Sequence, residues 1–323
     1  MANEDIERPE LSGIIKIILL ASLVILLPAV QWSFFGWLHV FLPLLSFFLL
    51  GRYGGHTGKR LLLTAAALSL IIYLILDSLD LFIFSAALLF SGFVLHRSVE
   101  RQESPALSGF KAAVSLAGSW FVVLTVFSAG SEISAYGQLL KTFDQGIVET
   151  LEHYRQSDTV STETLIVLET TLHRMQLLVP MIMPAILGSI ILMITWLTMM
   201  LGNILLLKTC DKVAWAGYRY WQLPERLIWV VIVIGILALI PTHPVRAVGI
   251  NSLILLSIVY CFQGLAILVF FMDKWNVPLL LRSFLYVMIV FQSLGTLILL
   301  LFGIADSWFD FRKLKLVTTD KTE

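Results

Sequence analysis

Three uncharged amide side chains stand inside otherwise apolar runs of the chain, at Asn203, Gln263 and Gln292. An amide in an apolar medium must find a hydrogen-bond partner, because leaving it unpaired costs several kcal/mol. The amides can bond between helices, each bond contributing about 0.6 kcal/mol, or they can converge on one polar ligand. We favour the first role and retain the three as candidate binding residues. Because Gly264 permits close approach of a neighbouring helix, we expect Gln263 to face the interior, near the sixth or the last apolar run.

Acidic, aromatic and basic residues alternate at the end of the last apolar run, in the segment Gly303–Lys313. This mixture is typical of a segment that lies at the interface between membrane and water. We predict that Asp306 or Asp310 pairs with a basic residue, most simply Arg312 or Lys313. The motif would then terminate the last helix and have no catalytic role.

Catalytic patterns are missing or incomplete in the sequence. The stretch Gly51–Arg60 resembles a phosphate-binding loop, but Tyr53 stands where the pattern requires glycine and Arg60 where it requires Ser or Thr. Neither an H-E-x-x-H nor a C-x-x-C pattern occurs. His39 is expected at the membrane interface and not as a base. We therefore expect no enzymatic activity, no cofactor and no metal.

The amino-acid composition indicates that the chain is a membrane protein. Of the 323 residues, 58% are hydrophobic and only 14% are charged, against about 25% charged in soluble domains. A soluble fold of this size could not bury so much apolar surface. The net charge is +0 and no basic block is present, so nucleic acid is not an expected partner. We predict an all-α, polytopic transmembrane helical bundle that forms a single integral membrane domain over residues 1–323.

A membrane-spanning helix requires about 20 mostly apolar residues, and nine runs approach this length. They are Gly13–Val30, Phe34–Leu50, Leu61–Leu76, Leu81–Leu95, Phe110–Phe127, Leu177–Leu207, Leu227–Ile240, Ile250–Phe271 and Pro278–Ile304. We predict about nine spans. Eight remain possible, because Leu227–Ile240 has only 14 residues.

Lysine and arginine residues concentrate in alternate loops between these runs. Arg52, Arg97 and Lys208 belong to such basic loops, whereas the intervening loops are nearly free of positive charge. The positive-inside rule then predicts a cytoplasmic N-terminus, in the inner (cytoplasmic) membrane of a bacterium. Nine crossings would place the basic tail, including Arg312 and Lys313, on the opposite side, against the same rule.

Residues 129–175 form a polar insertion between the fifth and sixth runs. Apolar residues recur at helical spacing from Tyr136 to Tyr154, with charged residues on the other face, and Thr164–Leu177 fits a second helix. We predict an extracytoplasmic amphipathic helical insertion that lies on the membrane surface. The alternative is a lid over an outward-facing cavity.

Several segments together resemble one bacterial family. They are Arg52–Gly54, Pro180 with Pro184, Asn203, Leu223–Glu225, Gln263–Ala266 and Gly303–Lys313. Their order is similar to that in the YybS-like family of bacterial inner-membrane proteins, a domain of unknown function, over roughly residues 11–315. The first six spans are also similar in layout to the substrate-binding subunits of energy-coupling-factor vitamin transporters. Those subunits carry small residues four apart in the first span, whereas Ala21 is followed here by Ile25.

Two functions follow as expectations. The first is a non-enzymatic binding or scaffold protein that acts through partners, such as other membrane proteins, within the lipid bilayer. The alternative is a small-molecule uptake subunit that binds a solute among its helices. An uptake subunit should contain an outward cavity lined by Asn203, Gln263 or Gln292 together with Trp120 or Trp196, whereas a scaffold should have a filled centre.

Overall fold

A computed structural model describes residues 11–129, 133–156 and 161–314, and these residues form helices and no strands. The helices are α1 (Leu11–Val30), α2 (Trp32–Phe35), α3 (Leu42–Ile75), α4 (Leu79–Glu100), α5 (Pro105–Ser128), α6 (Ala135–Arg155), α7 (Thr162–Cys210), α8 (Leu227–Leu239), α9 (His243–Lys274), α10 (Leu279–Phe291) and α11 (Ser293–Phe309). Short 3-10 helices cover Gly36–Phe41 and Tyr218–Tyr220. The predicted all-α helical bundle is confirmed.

The predicted count of nine spans is not confirmed. Among the described residues, six helical segments are long and apolar enough to cross a membrane, or seven if α10 and α11 count as one bent span. Helix α8 has only 13 residues, which is about 20 Å of helix. That length is short of the roughly 30 Å of a bilayer core.

One of the six segments, Trp32–Ile75, folds back on itself at Gly54. Gly54 has a φ of 78°, a conformation that glycine adopts without a steric penalty. In the arm before this break, Pro43 lies close to Gly92 of α4. In the arm after it, Gly55 lies close to His96 of α4. His39 of the first arm and Tyr73 of the second arm both contact Ser85, nearer the start of α4. The first arm therefore runs in the same direction as α4, the second runs in the opposite direction, and the two arms are antiparallel. They correspond to the predicted second and third runs.

The predicted ninth span is broken at Gln292. Helices α10 and α11 meet there at an angle of 99°. The pair starts beside the end of α9, where Arg282 forms an ion pair with Asp273. It ends where Arg312 donates to the carbonyl of Trp221, 2.9 Å away. Both ends of the pair therefore lie at the same end of the bundle, and the expectation of a tail opposite the preceding basic loop does not hold.

We call this end of the bundle the basic end, because it contains Arg52, Arg101, Lys208, Arg226 and Arg312. Its parts are joined by contacts between elements: Gly51 of α3 approaches Leu206 of α7, and Gly55 approaches Glu100 of α4. The opposite end contains the turn at Asp77, helix α6 and the connection between α8 and α9. The basic loops predicted from the sequence thus lie at one end of the bundle, together with Arg312 and Lys313.

In the insertion, α6 is amphipathic and buries only Ile147. The predicted second helix is the first part of α7, which continues without interruption through Pro180 and Pro184. Tyr136 of α6 donates to the carbonyl of Pro180, 3.0 Å away, which fixes the insertion to the start of the membrane segment. Its side of the membrane and its position on the surface stay predictions.

Candidate functional site

A loop of residues 211–226, here called the end loop, lies across the basic end between α7 and α8. Asn203 holds its first part: the amide oxygen accepts from the backbone N–H of Ala214 and Trp215, at 3.0 and 3.1 Å, and the amide nitrogen donates to the carbonyl of Trp215. Trp215 stacks on Phe47 at 5.4 Å and donates its indole N–H to Ser108. Asn203 thus forms three of the four hydrogen bonds available to an amide with the backbone of the end loop, so its position is that of a structural anchor.

Gln263 holds the second part of the end loop and joins it to the C-terminal helix. Its amide oxygen accepts from the backbone N–H of Leu223 at 3.0 Å, and its nitrogen donates to Asp306 of α11 at 2.9 Å. Asp306 forms an ion pair with Arg312 at 2.8 Å, and both side chains are almost completely buried. Arg312 also donates to the carbonyls of Arg219 and Trp221. The predicted pairing of Asp306 with Arg312 is present, and Gln263 occupies the interior position expected for it.

Asp310 lies at the edge of the same network, with a left-handed backbone φ of 39° just after α11. Its carboxylate accepts from the backbone N–H of Leu314 at 3.2 Å and from the amide of Gln222 at 3.4 Å. Asp306 and Asp310 therefore have different structural roles. Asp306 is a buried partner of Arg312, and Asp310 caps the tail and contacts the end loop.

A cavity lies beneath the end loop. Its volume of about 600 Å³ is within the usual range for small-molecule sites. Its walls are the first part of α5, the middle of α7, the start of α8 and the middle of α9. The lining is almost entirely apolar, and Gln263 contributes one of its few polar groups. No Asp, Glu, His, Lys, Arg or Cys lines this cavity in the described part of the chain.

An aromatic cluster forms one wall of the cavity. Trp196 of α7 stacks on Phe262 of α9 with ring centroids 4.9 Å apart, and Tyr218 and Trp221 of the end loop meet edge to face at 5.1 Å. Tyr218 donates its hydroxyl to the carbonyl of Phe262 at 2.5 Å. Burial raises the pKa of Tyr218, so its phenol stays neutral and keeps this hydrogen bond. Sequence reasoning missed these end-loop residues, although four aromatics between residues 215 and 221 are a signal.

Thr195 is one of the residues at this wall whose buried polar atom has no hydrogen-bond partner within the described chain. It is 3% exposed, lines the cavity, and its hydroxyl has no hydrogen-bond partner among the described residues. A buried unpaired hydroxyl costs free energy, which a polar atom of a ligand would recover.

The charges around the site lie outside the cavity. Arg219 of the end loop forms an ion pair with Asp273 at 2.9 Å, and this hydrogen bond raises the pKa of Arg219. Glu103, just before α5, is in contact with Lys111 and Ser98, and the hydrogen bond from Lys111 is the main cause of its lowered pKa. These pairs keep the rim charged at neutral pH while the interior of the cavity stays apolar.

The three candidate amides do not converge on one site. Gln263 lines the cavity, Asn203 lies above it in contact with the end loop, and Gln292 is exposed at the break between α10 and α11. Trp196 lines the same cavity as Gln263, whereas Trp120 does not line it and packs against the hydrophobic cluster around α1 and α3. The role of the amides in binding a ligand stays a prediction for Gln263.

His39 is buried among its neighbours, and its position at the membrane interface stays a prediction. It is only 8% exposed, and its Nε2 lies 3.0 Å from the hydroxyl of Ser85, which is 0% exposed and also 3.5 Å from the hydroxyl of Tyr73. A serine beside a histidine is a possible nucleophile, but Ser85 has no access to a substrate in this arrangement. These contacts instead join α4 to the 3-10 helix Gly36–Phe41 and to α3.

Taken together, the helices, the buried polar network and the charge asymmetry define a polytopic membrane protein. The chain belongs to the family described as "Predicted membrane protein (DUF2232)", whose model matches residues 18–307. This supports the broader part of the resemblance, a membrane protein family of unknown function, and the YybS-like name stays a prediction. No curated protein and no solved structure matches the chain.

Proposed function

We propose that this membrane protein is a non-enzymatic binding protein that holds a small ligand in the cavity beneath the end loop. The observation that supports this function most directly is the cavity itself: it is about 600 Å³ in volume, apolar, and roofed by a loop that Gln263 fixes in place. A bundle whose only role is to scaffold partners has no need of such a space, because helix packing normally fills the interior.

The absence of an enzymatic role belongs to the proposal. Acid–base and nucleophilic catalysis need titratable or activated groups at the reacting atoms, and the described lining of the cavity offers none with charge. The buried charged groups behind Gln263, Asp306 and Arg312, neutralise each other. Binding is therefore the activity that the residues support, and effects on the cell would follow through protein partners or the bilayer.

The orientation is proposed on the same grounds as the sequence prediction. With the basic end in the cytoplasm, the N-terminus and the tail are cytoplasmic, the insertion around α6 is extracytoplasmic, and the membrane is the bacterial inner membrane. The cavity then lies in the cytoplasmic half of the membrane, beneath the end loop. Nucleic acid, a metal and a cofactor have no place in this proposal.

A matched pair of variants tests the binding function. Ala106 lines the cavity near its rim, whereas Ala117 lies on the exposed face of α5 and does not line it. The protein is purified in mild detergent and weighed intact by native mass spectrometry. We expect a bound small molecule on the wild type and on Ala117→Trp, and its loss from Ala106→Trp. Equal occupancy in both variants, or no adduct on any of the three, would contradict the proposal.

A small-molecule uptake subunit remains the second candidate, because Gln263 and Trp196 line one cavity and Thr195 leaves a hydroxyl free for a polar solute. This function requires the cavity to be reached from the extracytoplasmic side. A panel of water-soluble vitamins would then raise the melting temperature of the wild type and of Ala117→Trp but not of Ala106→Trp. No stabilisation by any of them would count against uptake.

A further inference from the structure

We propose that the ligand of this cavity is a phospholipid of the surrounding bilayer, with one acyl chain in the cavity and an anionic headgroup beside Arg226. This inference rests on the proposed binding function and names the chemical class of its ligand. Three features of the site support it: a lateral opening, a depth that matches one leaflet, and positive charge at the mouth.

The cavity opens sideways, toward lipid. Its walls α5 and α8 have no extended contact with each other, since each packs on other helices. At this gap the lining residues Leu107, Phe110 and Val230 are 43%, 67% and 44% exposed. In a membrane, side chains exposed at this height face hydrocarbon. A molecule that enters here comes from the bilayer, and an acyl chain is the most abundant candidate.

The cavity has the depth of one leaflet. Along α5 its lining runs from Ser104 to Ala113, and along α9 from Leu256 to Ala266. These stretches correspond to about 14 and 15 Å of helix, at 1.5 Å per residue. Half of a bilayer core is also about 15 Å. The cavity begins at the basic end, where headgroups lie, and ends near the bilayer centre, where acyl chains end.

Basic side chains lie at the mouth, beside the acidic Glu103 and Glu225, and no charged residue lines the interior in the described part of the chain. Arg226 directly precedes Leu227, which lines the cavity at the start of α8. Its side chain is exposed and forms no ion pair with a described residue. Arg101 lies on the other side of the mouth, just before the rim residue Ser104. These basic side chains attract the phosphate of a lipid headgroup. A lipid with a net negative charge is therefore preferred over a zwitterionic one.

Photo-crosslinking in vesicles tests the inference. The full-length protein is reconstituted in phosphatidylcholine vesicles that contain a tracer of phosphatidylglycerol with a diazirine in its acyl chain. Crosslinked peptides are mapped by mass spectrometry. We expect crosslinks at Thr195 or Ala266, which are 3% and 1% exposed and line the cavity, besides those at lipid-exposed Phe121. Ala106→Trp should remove the buried crosslinks and keep that at Phe121, and Ala117→Trp should keep both.

The preference for an anionic headgroup is tested with a second tracer, phosphatidylcholine with the same diazirine in its acyl chain. The ratio of buried crosslinks from the two tracers measures the preference for the anionic lipid. Arg226→Gln should reduce this ratio about fivefold, the effect of one basic residue near an anionic surface. Lys208→Gln changes an exposed basic residue at the same end that is not adjacent to any lining residue, and it should leave the ratio unchanged. An unchanged ratio in Arg226→Gln would overturn the anionic headgroup.

The outcomes separate this inference from the binding function. If crosslinks appear at Phe121 alone while native mass spectrometry finds a non-lipid molecule that Ala106→Trp removes, the phospholipid is wrong and the binding function stands. If neither buried crosslinks nor an adduct is found, both are wrong.

Discussion

At the scale of single residues, Asp306 and Arg312 form the most deeply buried ion pair among the described residues. Asp306→Asn keeps the shape of the side chain but leaves the charge of Arg312 buried without a counterion. Breaking a buried pair in this way costs about 3–5 kcal/mol. We expect a loss of this size in the free energy of unfolding, measured by denaturant titration in detergent. Asp144→Asn, the same change at an exposed position of α6, should stay within about 0.5 kcal/mol of the wild type.

The double variant Asp306→Asn/Arg312→Met completes this experiment. It removes both charges, so it should recover part of the stability that Asp306→Asn alone loses. If Asp306→Asn were as stable as the wild type, the pair would not be buried as described. If the variant were stable but had lost its bound ligand, the motif would have a functional role that the structural interpretation denies it.

The same substitution, glutamine to leucine, can be compared at the buried Gln263 and at the exposed Gln292. Gln263→Leu removes the acceptor of the Leu223 N–H and a donor to Asp306. Leaving such buried groups unsatisfied costs about 1–3 kcal/mol, so a lower melting temperature is expected in differential scanning fluorimetry. Gln292→Leu changes an exposed side chain at the helix break and should have little effect. Equal effects of the two variants would contradict the placement of Gln263.

At the scale of helices, the crossing of α9 and α11 depends on two glycines. A Cβ added at Gly264 would stand 2.0 Å from the carbonyl oxygen of Leu299, and one added at Gly303 would stand 2.0 Å from that of Tyr260. Both obstacles are backbone, so the helices must separate. Gly303→Ala is therefore expected to destabilise the protein, although alanine is the better helix former by about 1 kcal/mol.

Gly118→Ala is the matched control for this crossing. Gly118 also lies within a helix, α5, but nothing lies within 4 Å of a Cβ added there. Its substitution should leave the melting temperature unchanged or raise it. A melting temperature that rises in both variants would show that α9 and α11 are not in close contact at Gly303.

At the scale of the whole molecule, the return of α10 and α11 to the basic end predicts the side of the tail. In a variant with Cys210 and Cys261 replaced by serine, single cysteines introduced at Lys313 and Lys208 should react with an impermeant maleimide from the same side of sealed vesicles. A cysteine at Asp77, at the opposite end, should react from the other side. Labelling of the Lys313 position together with that of Asp77 would mean that the last helix pair crosses the membrane.

The sequence by itself determined the class of this protein and much of its architecture. Its apolar content exceeds what a soluble fold can bury, and the apolar runs and charged loops predict helices and their alternation. The ion pair of Asp306 with Arg312 was predictable as well, because the two residues are close along the chain. The interior position of Gln263 followed from the cost of an unpaired amide and from the glycine beside it.

Only the tertiary structure decided which distant residues meet. Run lengths do not reveal that α10 and α11 break at Gln292 and return, because a break depends on packing and not on hydropathy. The cavity was equally hidden: its walls come from α5, α7, α8 and α9, and its roof is a loop that Asn203 and Gln263 hold in place. Apolar residues that line a cavity and those that fill a core look alike in sequence, since both satisfy the same burial requirement. Where space is left between helices is set by the directions in which they cross, and that is a property of the assembled bundle.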